Sequence, residues 1–207
     1  MTETNLEILA KNLKKHRIDF LSFNSKEECF THLQTSLKKD MHISWGGSMT
    51  LHEIGILNYL RAEKFPHLSD RDNPQLTYDE KIAIERKAFF SDVFLTSANA
   101  ITEDGLIVNV DGHGNRVAAT IFGPKKVYFV VGKNKLVKDY VSAVHRIKTV
   151  AAPMNARRLN LTTPCVKTGT CHDCLAKDRI CCYTVAIRRD LTLDRMCVLF
   201  VNENLGF

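Results

Sequence analysis

Short apolar segments alternate along this chain with segments that have helical periodicity. Leu6, Leu9 and Leu13 recur at the spacing that places them on one face of a helix over residues 3–16. The apolar run 127–131 has the pattern of a buried strand, and a second helical pattern follows it. Because strands that alternate with helices build parallel sheets covered by helices, the sequence predicts an α/β fold with a largely parallel central sheet flanked by helices.

The most strand-rich part of the chain lies in its middle. Three apolar or β-branched runs, 93–101, 106–110 and 117–122, are separated by turn residues at 103–105 and 111–115. This spacing predicts an antiparallel meander insert of three strands. The same criteria predict helices over about 25–38, 51–62, 77–90 and 153–161, a strand over 149–152 and a late strand over 196–201.

Length and composition are those of an ordinary globular chain. The 207 residues are 44% hydrophobic and include only ten glycines and five prolines, which excludes collagen-like and disordered architectures. We expect a single domain over 1–207 with a cysteine-rich loop at 164–182. The longest apolar run is too short to span a membrane, and the polar start at residues 1–5 lacks a signal-peptide core. We therefore expect a cytoplasmic protein without a membrane span.

The chain carries a formal net charge of +6 at pH 7. Its basic residues are dispersed instead of forming a continuous stripe with interleaved aromatic groups, as nucleic-acid-binding surfaces do. Nucleic acid is therefore not the expected partner. A small anionic ligand is the partner class that this charge favours.

A glycine pair connects a predicted strand to a predicted helix. Backbone N–H groups of Gly46 and Gly47 can approach an anion closely, and Ser48 and Thr50 add hydroxyl donors at the helix start. The segment is neither a P-loop nor a dinucleotide-binding fingerprint, because its spacing differs from both. The sequence therefore predicts an anion-binding loop here, with a tight turn capped by Ser48 or Thr50 as the alternative.

Four other polar residues are candidates for the same edge of the sheet. Asn99 lies near the end of the predicted strand 93–101, next to the loop that follows it, and Arg116 can clamp a carboxylate or phosphate in bidentate fashion or form an edge-strand salt bridge. Glu103 and Asp104 are weak candidates for an acid and base pair, because the turn between two strands already explains them.

Five of the seven cysteines lie between residues 165 and 182. In a chain without a secretion signal such thiols are expected to ligate a soft metal instead of forming disulfides. Only one Cys-x-x-Cys pair is present, whereas zinc ribbons use two. The spacing favours a [4Fe–4S] cluster, with zinc and metal-free thiols as open alternatives. The predicted ligands are Cys165, Cys171, Cys174 and Cys181, with Cys182 as a possible replacement for Cys181.

The remaining two cysteines are predicted to have a different role. Cys29 falls on the apolar face of a predicted helix, and Cys197 falls within the predicted late strand. Buried thiols of this kind are usually inert parts of the core.

Three ordered motifs of the chain resemble those of the lactate-utilisation (LUD) domain family. They are Trp45-Gly46-Gly47-Ser48-Met49-Thr50, the passage from Ser97 to Gly105, and Asp111-Gly112-His113-Gly114-Asn115-Arg116-Val117-Ala118. The resemblance covers most of the chain. It implies a fold similar to the superfamily of glucosamine-6-phosphate deaminase, ribose-5-phosphate isomerase and coenzyme A transferases, in which the glycine-rich loop holds an anionic group.

The resemblance also implies a role in the oxidation of L-lactate or related organic acids, alongside other lactate-utilisation iron–sulfur proteins. Combined with the cysteine loop, it predicts a component of an oxidoreductase system that binds an anion and transfers electrons through the cluster. The alternative is a ligand-binding protein, or an enzyme of the phosphosugar or coenzyme A type, with a structural zinc site. The acidic catalytic motifs of the phosphosugar enzymes are not found at matching positions.

Overall fold

The structure is a computed structural model that describes residues 3–207. Part of the polar start used to predict the absence of a signal peptide, Met1 and Thr2, lies outside the described residues. Within the described chain, no helix has the length and apolar character that crossing a membrane requires.

Ten strands and several helices alternate along the described chain. The strands are β1 (Asp19–Phe23), β2 (Ile43–Trp45), β3 (Leu68–Ser69), β4 (Val93–Thr96), β5 (Ala100–Thr102), β6 (Ile107–Asp111), β7 (Lys126–Gly132), β8 (Leu136–Val137), β9 (Tyr183–Ile187) and β10 (Met196–Val201). The helices are α1 (Glu3–Lys15), α2 (Lys26–Ser36), α3 (Met49–Glu53), α4 (Ile56–Ala62), α5 (Tyr78–Lys87), α6 (Asn115–Ile121), α7 (Tyr140–Arg146), α8 (Ala152–Arg158) and α9 (Pro164–Thr168). Two 3₁₀ turns (Ala88–Phe90 and Lys133–Lys135) and a π-helical segment (Ile147–Ala151) complete this set.

The larger sheet has six strands in the order β1-β10-β7-β4-β2-β3, and every neighbouring pair is parallel. Strand β10, between β1 and β7, is buried on both faces, as parallel strands under helices must be. Leu199 belongs to the core cluster that contains residues of α2, α3 and α4, whereas Val198 and Phe200 belong to the cluster that contains residues of α1 and α6. The predicted α/β class with a largely parallel central sheet is confirmed.

A second sheet has four strands in the order β8-β5-β6-β9. Strands β5 and β6 form an antiparallel hairpin, as predicted, but the predicted first strand 93–101 is divided between β4 of the larger sheet and β5. Residues 117–122, predicted as the third strand of the meander, lie mainly in helix α6. Gly114 at φ +83° turns the chain into this helix, and the Asp111 carboxylate accepts hydrogen bonds from the backbone N–H groups of Gly114 and Val117. This side-chain cap outweighs the β propensity of the segment, and β9 pairs with β6 instead.

Two further predictions differ from the structure. Residues 149–152, predicted as a strand, are helical. The neighbours of strand β7 in the sheet are β10 and β4, which come from other parts of the chain. The predicted helix over 51–62 is divided at Gly55, whose φ of +79° no regular helix permits. As a result, the helix that follows the glycine pair is only the five-residue α3.

The parallel arrangement determines where a site can form. Strands β2, β4 and β7 are neighbours or one strand apart, and their carboxyl ends lie at one edge of the sheet. Ligands of open α/β sheets bind beyond this edge. The segments that follow these three strands are the glycine pair, the loop 97–99 and the 3₁₀ turn before β8.

Candidate functional site

A polar pocket of about 660 Å³ opens at the carboxyl edge of the parallel sheet. Its lining includes Gly47, Ser48 and Thr50 after β2, Ser97 and Asn99 after β4, and Lys135 after β7. The pocket thus lies where the topology predicts a ligand site. Of the predicted anion-binding residues, only Gly46 is not part of this lining.

The two glycines allow arginine side chains to approach the sheet edge. A Cβ atom at Gly46 would lie 2.6 Å from Cγ of Arg116, and one at Gly47 would lie 3.0 Å from Nη1 of Arg71. The first distance is too short for any side chain, whereas the second involves the flexible end of an arginine. The glycine pair therefore has a steric function that the sequence did not predict: it makes room for the aliphatic stem of Arg116 and the guanidinium of Arg71.

Ser48 and Thr50 have different roles at this turn. The Ser48 hydroxyl caps α3 by accepting a hydrogen bond from the backbone N–H of Leu51, so the capping alternative is confirmed for this residue. Thr50 lies inside α3, is buried, and its hydroxyl donates to the carbonyl of Leu205 at 3.4 Å. Because α3 has only five residues, most of the positive charge of the pocket comes from side chains and not from a helix dipole.

Arg116 is held in place by a dense set of hydrogen bonds. Its guanidinium donates to the side-chain oxygens of Asn99 and Asn109 at 3.0 Å each and to the carbonyl of Val110 at 2.7 Å, and its Nε lies 3.6 Å from the Asp111 carboxylate. Burial lowers the pKa of Arg116, and Asp111 opposes that shift. The protein already occupies these donors, so Arg116 contributes charge and rigidity to the pocket wall instead of a free bidentate clamp.

Arg71 was not predicted and differs from Arg116 in one respect. One end of its guanidinium forms a 2.7 Å ion pair with Glu85, but its buried Nε has no hydrogen-bond partner among the described residues. A buried donor without a partner costs roughly 1–3 kcal/mol. Arg71 lines the pocket, and its guanidinium has fewer partners within the described chain than that of Arg116, so it is a candidate to donate to a bound anion.

Lys135 is the other basic residue that sequence analysis missed. Its side chain is 2% exposed, and Nζ donates to the hydroxyl oxygens of Thr50 at 2.7 Å and Ser97 at 2.8 Å. Burial lowers the pKa of Lys135 to about 7, and the nearby charges of Arg146 and Arg116 act in the same direction. The amine is therefore largely neutral at slightly alkaline pH.

The pocket as a whole is cationic. Two acidic side chains line it, and both are engaged: Asp111 caps α6, and Asp178 accepts from the backbone N–H and the hydroxyl of Thr162. The basic side chains of the lining are Arg71, Lys81, Arg116, Lys135, Arg158, Lys177 and Arg179. This excess of positive charge favours an anionic ligand.

Glu103 and Asp104, the weak candidates for acid and base, lie elsewhere. They occupy the turn between β5 and β6, where the carbonyl of Glu103 accepts a hydrogen bond from the Asn12 side chain of α1. The Asp104 carboxylate accepts from the hydroxyl of Thr102. Neither residue is part of the pocket lining.

The cysteine-rich segment folds into a second, smaller cavity next to the pocket. All four predicted ligands, Cys165, Cys171, Cys174 and Cys181, line it, and they come from α9 and from the irregular segment before β9. Burial raises the pKa of the Cys181 thiol, and the neighbouring Cys171 and Cys174 thiols act in the same direction. The four cysteines thus line one small cavity.

Cys182 faces a different cavity from its neighbour. It is exposed and lines the larger polar pocket, while Cys181 lines the cysteine cavity. Among the residues that the structure describes, no group of three or more His, Cys, Asp or Glu side chains is positioned to hold a single metal ion. Cys29 and Cys197 are buried in the core, as predicted, and burial raises the pKa of each to about 12.

Arg179 connects the two cavities, and it was not predicted. It lines both, its Nη2 lies 3.5 Å from Sγ of Cys181, and it forms a 3.2 Å ion pair with Asp173. The same guanidinium donates to the backbone carbonyls of Cys174 and Cys181. Its buried Nε has no partner in the described part of the chain.

Of the three basic site residues that were not predicted, only Lys135 has a recognisable signal in the sequence. Lys135 follows the apolar strand β7, and the carboxyl end of a parallel strand is where functional residues are expected. Arg71 lies in a polar loop without periodicity, and only the folded chain shows that it meets Gly47. Arg179 lies within the cysteine segment, where the thiols dominated the interpretation.

Comparisons with known proteins agree with this architecture. The crystal structure of a DUF162 family protein from Deinococcus radiodurans is similar over 96% of both chains, with 14% sequence identity and a TM-score of 0.51, a likeness that shows the fold alone. No curated protein matches the chain significantly. The family model for the LUD domain matches residues 6–201. The chain therefore belongs to the LUD domain family, which is related to lactate utilisation.

Proposed function

We propose that the protein binds a small organic-acid anion in the polar pocket and holds a [4Fe–4S] cluster on Cys165, Cys171, Cys174 and Cys181, as a component of lactate or related organic-acid oxidation. One observation carries this proposal. The cavity lined by these cysteines adjoins the cationic pocket, and Arg179 and Ile180 line both. A redox group and its organic substrate would then be separated by little more than one side chain.

The ligand half of the proposal depends on unused donors. Arg71 lines the pocket with a guanidinium that pairs with Glu85 through Nη2, and Gly47 and Ser48 line the same pocket. A carboxylate accepts hydrogen bonds from such groups, and charge-assisted bonds of this kind are stronger than neutral ones. Arg116 and Asn99 would support the site by fixing the wall behind it.

The proposed iron–sulfur cluster depends on the chemistry of the four cysteines that would hold it. Four cysteines that line one cavity can supply the four thiolates that hold a [4Fe–4S] cluster, which when bound accepts and donates single electrons. The unpartnered Nε of Arg179, together with its contact to Cys181, fits the negative charge of a thiolate-bound cluster. Cys182, which faces the other pocket, is not needed as a ligand under this proposal.

Chemical analysis tests the cluster. Protein purified without oxygen should contain about four iron atoms and a similar amount of acid-labile sulfide per chain. Stoichiometric zinc without iron would replace this proposal with a structural zinc site. Protein that contains neither metal after supply of iron and sulfide would rule out both.

Calorimetry tests the anion. L-lactate and pyruvate should bind to the purified protein, and an uncharged compound of the same size, such as lactamide, should not. Equal binding of lactate and lactamide would contradict a site that recognises charge. A phosphosugar that binds while both organic acids fail would indicate the enzyme class of the phosphosugar type.

A further inference from the structure

Lys135 has the surroundings of a nucleophilic amine. Its Nζ lies at the boundary of the polar pocket, at the carboxyl end of the central strand β7, and it is almost fully excluded from solvent. Buried lysines next to other cationic groups react with carbonyl compounds because their amines are not protonated. The question is whether the hydrogen bonds of Lys135 leave its lone pair available.

The two hydrogen bonds of Lys135 match a neutral amine. Nζ donates to Oγ1 of Thr50 and to Oγ of Ser97, which uses both N–H groups of an uncharged amine and leaves the lone pair. A charged ammonium would have a third N–H, for which the described residues provide no partner. The Thr50 hydroxyl donates its hydrogen to the carbonyl of Leu205, so its oxygen accepts the hydrogen bond from the lysine.

The charges around the amine favour the same state. Arg146 of α7 and Arg116 of α6 disfavour the protonated lysine, and Glu53 of α3 opposes them to a smaller extent. Both arginines are held by hydrogen bonds, Arg146 to the carbonyls of Asn99 and Asn134. They therefore remain next to Lys135 instead of turning away to solvent.

The geometry points to Lys135 as a nucleophile that forms an imine with the carbonyl group of a 2-oxo acid held in the pocket. This inference rests on the proposed anion site, because Arg71 and the other cations would hold the carboxylate of the same molecule. A 2-oxo acid such as pyruvate combines the two groups that the pocket matches: a carboxylate for the guanidinium and a carbonyl for the amine.

The reaction is balanced without an oxidant. The lone pair of Nζ attacks the carbonyl carbon, one N–H hydrogen moves to the carbonyl oxygen, and a carbinolamine forms. Loss of the hydroxyl together with the second N–H hydrogen releases one water and leaves a C=N bond. The Thr50 and Ser97 hydroxyls, which accept hydrogen bonds from these two N–H groups, are placed to relay the hydrogens.

Reductive trapping tests the inference. The full chain is incubated with pyruvate and sodium cyanoborohydride, and the labelled residue is located by peptide mass spectrometry. The expected result is one label, on Lys135, whose mass equals pyruvic acid less one oxygen atom. Labels spread over exposed lysines, such as Lys133, at rates similar to that of Lys135 would overturn the inference.

Variants and a binding control separate the possible failures. Lys135→Met should lose the label, while Lys133→Met, which changes an exposed lysine of the same 3₁₀ turn, should keep it. L-lactate, which has no carbonyl to trap, should compete with labelling if it occupies the anion site. Calorimetric binding of lactate without trapping of pyruvate would reject the imine alone, whereas absence of both would reject the anion site as well.

Discussion

The polar pocket and the cysteine cavity are neighbours built in opposite ways. The pocket is formed by the ends of parallel strands, and its wall is fixed by internal hydrogen bonds such as those of Arg116. The cysteine cavity is formed mainly by residues 169–182, where the described chain has neither helix nor strand. There the guanidinium of Arg179 binds two backbone carbonyls and approaches one thiol.

This difference shows what each site requires from its ligand. The pocket has its shape and charge because the sheet and its hydrogen bonds hold the wall, so an anion adds binding energy to a formed site. The cysteine segment has neither helix nor strand between residues 169 and 182, and we expect the group that its thiols hold to supply much of its local stability. Substitutions should therefore separate the two sites.

The largest effect is expected from the loss of one cluster ligand. Cys171→Ser should remove most of the iron from protein purified without oxygen and increase hydrogen exchange in residues 169–182. Cys182→Ser is the matched control, because Cys182 lines the other pocket, and it should retain full iron. Iron content that falls equally in both variants would contradict the assignment of Cys181 in place of Cys182.

A large effect on the pocket alone is expected at Arg71. Arg71→Met removes the guanidinium from the pocket wall and should weaken binding of L-lactate by about 30-fold, which corresponds to about 2 kcal/mol for a lost charge-assisted hydrogen bond. Iron content should not change. Glu85→Gln, which breaks the ion pair but leaves the guanidinium, is the control. If both variants bind lactate as well as the original protein does, Arg71 is not a ligand-binding residue.

The glycine pair allows a comparison within the pocket wall. Gly46→Ala places a Cβ atom against Cγ of Arg116, and we expect it to lower the free energy of unfolding by about 2 kcal/mol through overpacking. Gly47→Ala meets only the flexible end of Arg71 and should cost clearly less. Denaturant unfolding of both variants measures the difference. Equal losses would show that the close approach of Arg116 does not explain Gly46.

The smallest effect concerns pH. The pKa of Lys135 is about 7 in the folded protein and about 10.4 in an unfolded chain, so between these values the unfolded state binds more protons. Stability should therefore rise with pH, by about 1.5 kcal/mol from pH 7 to about pH 8.5, before thiols ionise. Lys135→Met should lack this rise in urea unfolding series measured across that range. An identical pH dependence in both proteins would mean that Lys135 remains charged.

The sequence predicted the α/β class and its largely parallel sheet because the signals for individual strands and helices are local. The apolar runs that became β7 and β10 and the helical spacing of apolar residues in α1 are each contained within a short stretch of sequence. The strand prediction for residues 117–122 was wrong because a contact from outside this segment favours a helix: the Asp111 carboxylate caps α6 from the end of the preceding strand. Strand β9, which takes the place of the predicted third strand, comes from much later in the chain.

The candidate site was predicted only in part for a similar reason. Gly47, Ser48 and Thr50 form a recognisable turn after a strand, and the cysteines are close together in sequence. Arg71, Lys135 and Arg179 come from three separate segments that meet only in the folded chain. Nothing in the local sequence distinguishes these basic residues from those on the surface. Only the folded structure distinguishes them, through their burial, their hydrogen bonds and the unpartnered nitrogens of Arg71 and Arg179.

Crystals of protein purified without oxygen and grown with L-lactate provide the most direct test of the two adjoining sites. Anomalous diffraction at the iron absorption edge should show iron bounded by Cys165, Cys171, Cys174 and Cys181, and ordinary density should show a carboxylate beside Arg71. A zinc signal in place of iron, or four thiols directed apart around an empty cavity while the anion binds elsewhere, would contradict the account.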